Sequence, residues 1–219
     1  MTSDWQIWQV ADSAFPTGGF AHSAGLEASW QSGEVTTAEA LQRFLRETLW
    51  QAGRGVLPLV TAAHAAPGRL EELDALCDAF LTNAVANLAS RTQGRAFLST
   101  AARIWPGETL MRLTARQKTL CGHYGPVVGV ALRALDFPLE RAQPLFLYLT
   151  ARGVLAAAVR LGIVGGYRAQ QLQHEAAAVC EVVLDRCAHL DDRDICQTAP
   201  IIDMLQSAQD RLYSRLFRS

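Results

Sequence analysis

An all-α domain is the expectation for this chain, and three features carry it. Apolar residues recur at helical spacing almost throughout, no alternating apolar–polar run of useful length occurs, and no Asn-Gly or Asp-Gly hairpin signal is present. The chain has 219 residues, 50% of them hydrophobic, enough for one sizeable core. The expected architecture is a single compact domain of about eight to eleven helices. It divides into a helical body over 1–188, a polar and flexible linker over 189–200, and a semi-detached C-terminal helical tail over 201–219.

The elements follow in order. "TTAEALQRFLRETLWQAG" opens with Thr36 and Glu39 at capping-box spacing. Leu41, Phe44, Leu45 and Leu49 share one face, and Gly53 closes the helix. "RLEELDALCDAFLTNAVANLA" carries Leu70, Leu73, Cys77, Phe80, Leu81, Ala84 and Leu88 as one amphipathic stripe. Pro138 starts the next long helix at its first turn, and Pro144 bends it or delays its true start. "AQQLQHEAAAVCEVVLDRCAHL" has its stripe in Leu172, Ala176, Val179, Val183 and Cys187. Loops are short, around Gly53–Gly55, Pro67–Gly68, Pro106–Gly107 and Gly165–Gly166.

Composition excludes several roles. Lys and Arg number 20 against 21 Asp and Glu, a net charge of -1, which speaks against a nucleic-acid partner or an anionic membrane. The most apolar stretch, 142–167, contains Arg152 and Arg160; a membrane span would place Arg152 near mid-bilayer, so a buried helix is the expectation. Five cysteines, at 77, 121, 180, 187 and 196, form no CxxC and no secreted disulfide framework. "MTSDWQIWQV" has no basic region followed by an apolar run, so no signal peptide is read, and a cytoplasmic location is expected.

The stretch "AFPTGGFAHSAGLEASW", 14–30, gathers glycines, a histidine, a serine and a glutamate. It lacks the lysine and the preceding strand of a phosphate loop. His22 and Ser23, being adjacent, point about 100° apart on a helix, and no strained serine elbow is present, so no triad is read. The plainer reading is a helix start, with His22 or Ser23 as the cap and Glu27 placed to suit the helix dipole. Cys121-Gly-His123 and Cys187-Ala-His189 are C-x-H pairs, but their spacing matches no structural zinc motif, and no metal ligand is assigned. "LDDRDI" reads as a solvated loop, and the five tryptophans as core, rim or interface.

Five motifs stand in order along the whole chain: "FPTGGFAHSAGLEA", "RTQGRAFL" at 91–98, "HYGPVVGVALRAL" at 123–135, "AAAVRLGIVGGYRAQQL" at 156–172 and "LYSRLFRS" at 212–219. Together they resemble the UreF family of urease accessory proteins. One departure is Gln209-Asp210, where the family commonly has His-Glu; another is Gly165-Gly166, in place of the Gly-Gln turn of many relatives. The resemblance implies an all-helical dimer without catalysis or a resident cofactor, nickel being transient cargo of the assembled complex. Implied partners are the D/H-type urease accessory protein, the urease GTPase and apo-urease. The residues assigned to partner contact are Phe20, His22, Ser23, Gly25 and Glu27, exposed around a helix entrance, with Arg91 and Arg95, and Tyr213, Arg215 and Phe217 in the tail. The alternative is a GTPase-activating factor that supplies Arg91 or Arg95 to its partner's nucleotide site. The tail, with Ile201, Leu205, Ala208, Leu212 and Leu216 as a helical stripe, either packs on its own domain or docks into a partner's groove.

Overall fold

The computed structural model describes residues 4–218. Among them are eleven α-helical segments and no strand. They are α1 (Asp4–Ala11), α2 (Leu26–Gln31), α3 (Ala38–Gln51), α4 (Leu57–Ala65), α5 (Leu70–Phe80), α6 (Ala84–Ile104), α7 (Glu108–Ala115), α8 (Tyr124–Ala134), α9 (Leu139–Arg160), α10 (Gly166–Cys187) and α11 (Pro200–Ser207).

α9 is the central rod, and it serves two cores. On one side Phe146, Leu147, Ala151, Val154 and Ala158 meet the apolar faces of α3 and α10, through Leu41, Phe44, Leu49, Leu172 and Val183. On the other, Ala142 and Leu145 join Phe97 of α6, Val128 and Leu132 of α8, and Val10 of α1. A third cluster sits between α4, α5 and α8, with Leu59, Leu73, Cys77 and Val130. α9 is long and apolar enough to span a bilayer by length and composition alone, but 56% of that window is buried inside the fold. Pro144 lies within α9 without ending it, and Pro138 is its N-cap residue.

Three expectations about boundaries change. α3 is capped by Thr37, whose hydroxyl accepts from Ala40 N at 3.2 Å, one residue later than Thr36. Gly53 does not close that helix. The chain passes through a π turn, Ala52–Val56, straight into α4. A Cβ at Gly53 would run into Val183 of α10, so this glycine permits helix contact rather than a stop. The long stripe from Leu70 to Leu88 is two helices. Asn83 accepts from Val85 N at 3.0 Å and starts α6, which leaves Leu88 exposed.

The C-terminal third is also held more firmly than expected. The 189–200 segment is tethered, not a free linker: Arg69 pairs with Asp192 at 2.8 Å, and Cys196 N donates to Arg54 O at 3.1 Å. The Gln51 side chain accepts from Ala199 N at 3.0 Å. Beyond it the tail is not one helix. α11 ends at Ser207, a 3-10 turn spans Gln209–Arg211, and residues 212–218 fold back over the body through two bends. The tail is therefore docked rather than semi-detached, and Phe217 is 3% exposed within the α3–α9–α10 core.

Candidate functional site

The two ends of the chain fold onto one another. In the 14–30 stretch a 3-10 turn, Gly19–Ala21, leads to Ala24 and Gly25, both left-handed with φ 54 and 84. Gly25, which has no side chain to cap with, is the N-cap of α2; a Cβ there would stand 2.9 Å from Gln206 Cβ of α11. Ser23 Oγ does accept from Glu27 N, at 3.3 Å. Phe20 is exposed as expected. His22, Ser23, Gly25 and Glu27 are not: all four are buried, because the tail lies over them.

Glu27 organises this junction. Its carboxyl accepts from Leu216 N at 2.6 Å, from Phe217 N at 3.0 Å and from Gln209 Nε2 at 2.6 Å. A buried carboxyl is costly unless its lone pairs find donors, and here the tail brings three. Gln209 supplies an amide N–H at the position where a histidine was the family expectation, so this departure keeps a donor in place. Asp210 turns outward to Arg215 at 2.9 Å. Further ties are Arg218 N to Ala21 O at 2.8 Å and Gln31 Nε2 to Ser214 O at 2.9 Å. Arg160 donates to Phe20 O, and its guanidinium carbon lies 4.2 Å from the Phe20 ring and 4.3 Å from that of Phe217. Burial, and then the Arg218 charge, push the pKa of His22 below its ordinary value.

Large apolar side chains remain exposed on this junction: Phe20, Ile201, Met204, Leu216 and a fully exposed Tyr213. Arg215 is exposed beside them. Of the tail residues assigned to contact, only Phe217 is buried.

A second polar corner lies where α5, α6 and the loop before α8 meet. Asp74 is 1% exposed and accepts from Gly122 N at 3.0 Å and His123 N at 2.8 Å. The fully buried His123 ring bonds Ser90 Oγ through Nδ1 at 3.1 Å and Asp78 Oδ1 through Nε2 at 3.0 Å. Ser90 Oγ also accepts from Tyr124 N at 3.1 Å. Hydrogen bonds from Asn87 and then His123 hold the Asp78 carboxyl below its usual range. Burial, then the charges of Asp74 and Asp78, push the Cys121 thiol up, so it is no activated nucleophile. Arg91 and Arg95 share α6 here. Arg95 lies along Gly122, whose added Cβ would sit 2.8 Å from its Cγ, and Arg91 is half-buried with its Nε unpaired. Gly94, between them, faces the Gly122 carbonyl so closely that a Cβ would collide with it.

Known proteins identify the pattern. A sequence model of the UreF family matches residues 35–177. The urease accessory protein F of Arabidopsis thaliana is 38% identical over 221 residues, covering 98% of this chain and 92% of that protein. That of Oryza sativa subsp. indica is 36% identical over 219 residues, covering 97% and 84%. The bacterial UreF of Mesorhizobium japonicum is 33% identical over 211 residues, covering 94% and 92%. The chain belongs to the UreF family of urease accessory proteins.

The UreF-like motifs at the two chain ends therefore form one physical unit, although they lie some 190 residues apart (Glu27 to Phe217). The UreF-like R-x-x-G-R and His-x-x-Pro-Val segments likewise meet, at the corner of Gly94, Gly122 and His123. The sequence reading missed Arg160, Gln31, Gln209, Asp74, Asp78 and Ser90. Asp74 alone carried a local signal, since it stands four residues after Leu70 on the core face of α5.

Proposed function

We propose that this protein is a non-enzymatic scaffold for urease maturation. It assembles with the D/H-type urease accessory protein and the urease GTPase so that nickel is inserted into apo-urease, with nickel as cargo rather than a resident cofactor. The observation that carries this reading is the Glu27 junction. A buried carboxyl fixes the tail so that Phe20, Tyr213, Arg215 and Leu216 are displayed on one supported surface. Exposed aromatic and arginine side chains on a rigid base are what an interface needs, because little ordering entropy is left to lose on binding. We assign this surface to the D/H-type partner. His22, Ser23, Gly25 and Glu27 act from beneath it, as its support.

The scaffold is a two-fold dimer in this reading, a symmetry that homo-oligomers favour. The exposed Trp5–Trp8 pair, with ring centroids 5.0 Å apart, offers additional apolar surface for assembly. The alternative, an arginine supplied to the GTPase, falls to Arg95, which is exposed beside the 120–122 loop, rather than to the half-buried Arg91.

The test is co-purification with the D/H-type protein and the GTPase. Removing residues 207–219 leaves a folded helical body by circular dichroism and abolishes capture of the D/H-type protein. Arg215→Ala weakens capture by roughly tenfold or more with little change in fold, as an interfacial arginine does. Normal capture by the truncated chain contradicts the proposal.

A further inference from the structure

The corner at His123 has donors that the scaffold role does not use. A carboxylate oxygen of Asp78, Cys121 Sγ and one His123 ring nitrogen lie within 4.8 Å of one another. The geometry points to a three-ligand site for a divalent first-row cation of the zinc or cobalt type, held by Asp78, Cys121 and His123. The inference is independent of the assembly proposed above, because all three ligands come from this one chain.

Four features support it. The first is spacing. Ligand bonds of about 2.0–2.3 Å at a tetrahedral centre place donor atoms roughly 3.3–3.6 Å apart. His123 Nε2 and Asp78 Oδ1 already stand 3.0 Å apart, so a cation entering between them needs only a small opening. The second is the donor set itself: one thiolate, one imidazole and one carboxylate suit a borderline cation better than magnesium or calcium, which take oxygen.

The third feature is the support behind the ligands. Ser90 Oγ stands 3.1 Å from His123 Nδ1 and fixes the ring. Asp74 anchors the backbone N–H groups of Gly122 and His123, the residues that follow Cys121. The Asn87 amide orients Asp78 Oδ1 from 3.0 Å. The fourth is access. The Asp78 side chain is 43% exposed and Cys121 is partly exposed, while His123 is fully buried. The site is open on one side, with a fourth position for water or an incoming ligand.

Binding balances simply. Asp78 is already ionised, and the thiol releases one proton to solvent. The imidazole proton moves from Nε2 to Nδ1, which then donates a hydrogen bond to Ser90 Oγ, and the freed Nε2 lone pair takes the metal. Asp74, Asp78 and the Cys121 thiolate supply three negative charges. Arg91 and Arg95, whose charges also act on the thiol, supply two positive ones, so a dication is accommodated.

The experiment is a titration of the full-length, reduced protein with Co(II), followed by absorbance. The expected result is one cobalt per chain, with visible bands of tetrahedral intensity and a thiolate-to-cobalt charge-transfer band. Cys121→Ser removes the charge-transfer band, and Cys196→Ser, at the exposed cysteine, keeps it. Asp78→Asn weakens binding by at least tenfold, and Ser90→Ala by about tenfold, as loss of a supporting partner does. A measurement on the unaltered chain guards against misfolded variants: Zn(II) protects Cys121, and not Cys196, from alkylation by iodoacetamide. Absence of a thiolate band in the unaltered protein overturns the site. So does a band that survives Cys121→Ser, or equal alkylation of Cys121 with and without zinc.

Discussion

Asp74 and Glu27 are both buried carboxyls, 1% and 2% exposed, and each holds two backbone N–H groups from a distant part of the chain. The chemistry is the same and the setting is not. Asp74 pins Gly122 and His123, which lead directly into α8 and are pressed against α6 at Gly94. If that contact is lost, the freed N–H groups remain enclosed by helices. Glu27 pins Leu216 and Phe217 near the end of the chain. If that contact is lost, the tail can lift and its N–H groups find water. A buried carboxyl is thus a structural pin when its donors are trapped and a releasable latch when they are not.

The largest expected effect separates pin from latch. Asp74→Ala should cost roughly 3–5 kcal/mol of global stability, since two trapped N–H groups lose a charged acceptor. Glu27→Ala should cost only about 1–3 kcal/mol, because undocking relieves the donors. Urea denaturation of the two variants reads this directly, and equal midpoints would dissolve the distinction.

A smaller effect falls on the latch alone. Arg160→Ala removes two ring contacts at an exposed site, worth about 0.5–1 kcal/mol each. Limited proteolysis should then cut the 209–218 segment several-fold faster, with the unfolding midpoint barely moved.

The smallest effect is a pH response. His22 has its folded pKa lowered from 6.5, so the ring with the tail undocked binds protons more readily than the docked one. Docking is therefore complete above about pH 6.5 and weakens as pH falls below it. Protonation also sets His22 against the Arg218 charge. Tail proteolysis followed from pH 7.5 to 5.5 should accelerate, and His22→Asn should flatten the response.

How far these features could be read from sequence depends on where their causes lie. Helix faces were legible, because each stripe, such as Leu172, Ala176, Val183 and Cys187 on α10, is a local period. Breaks were less so. Gly53 looked like a stop, and only the approach of Val183, 130 residues away, shows why a helix interior needs no side chain there. The start of α6 at Asn83 is hidden because the apolar stripe keeps its phase across the gap, although Asn is a strong N-cap residue. Glu27 was read as an exposed early-helix charge, which its neighbours permit. Its partners lie 182 to 190 residues away and no short-range pattern encodes them. Cys121 and His123 form a local C-x-H pair, but the acid that joins them, Asp78, comes from α5, more than 40 residues earlier.

Amide hydrogen exchange at Leu216 and Phe217 in the free protein tests the latch most directly. The account predicts strong protection of both, lost in Glu27→Ala while Gly122 and His123 stay protected. Exchange of Leu216 and Phe217 at unprotected rates in the unaltered protein would contradict it.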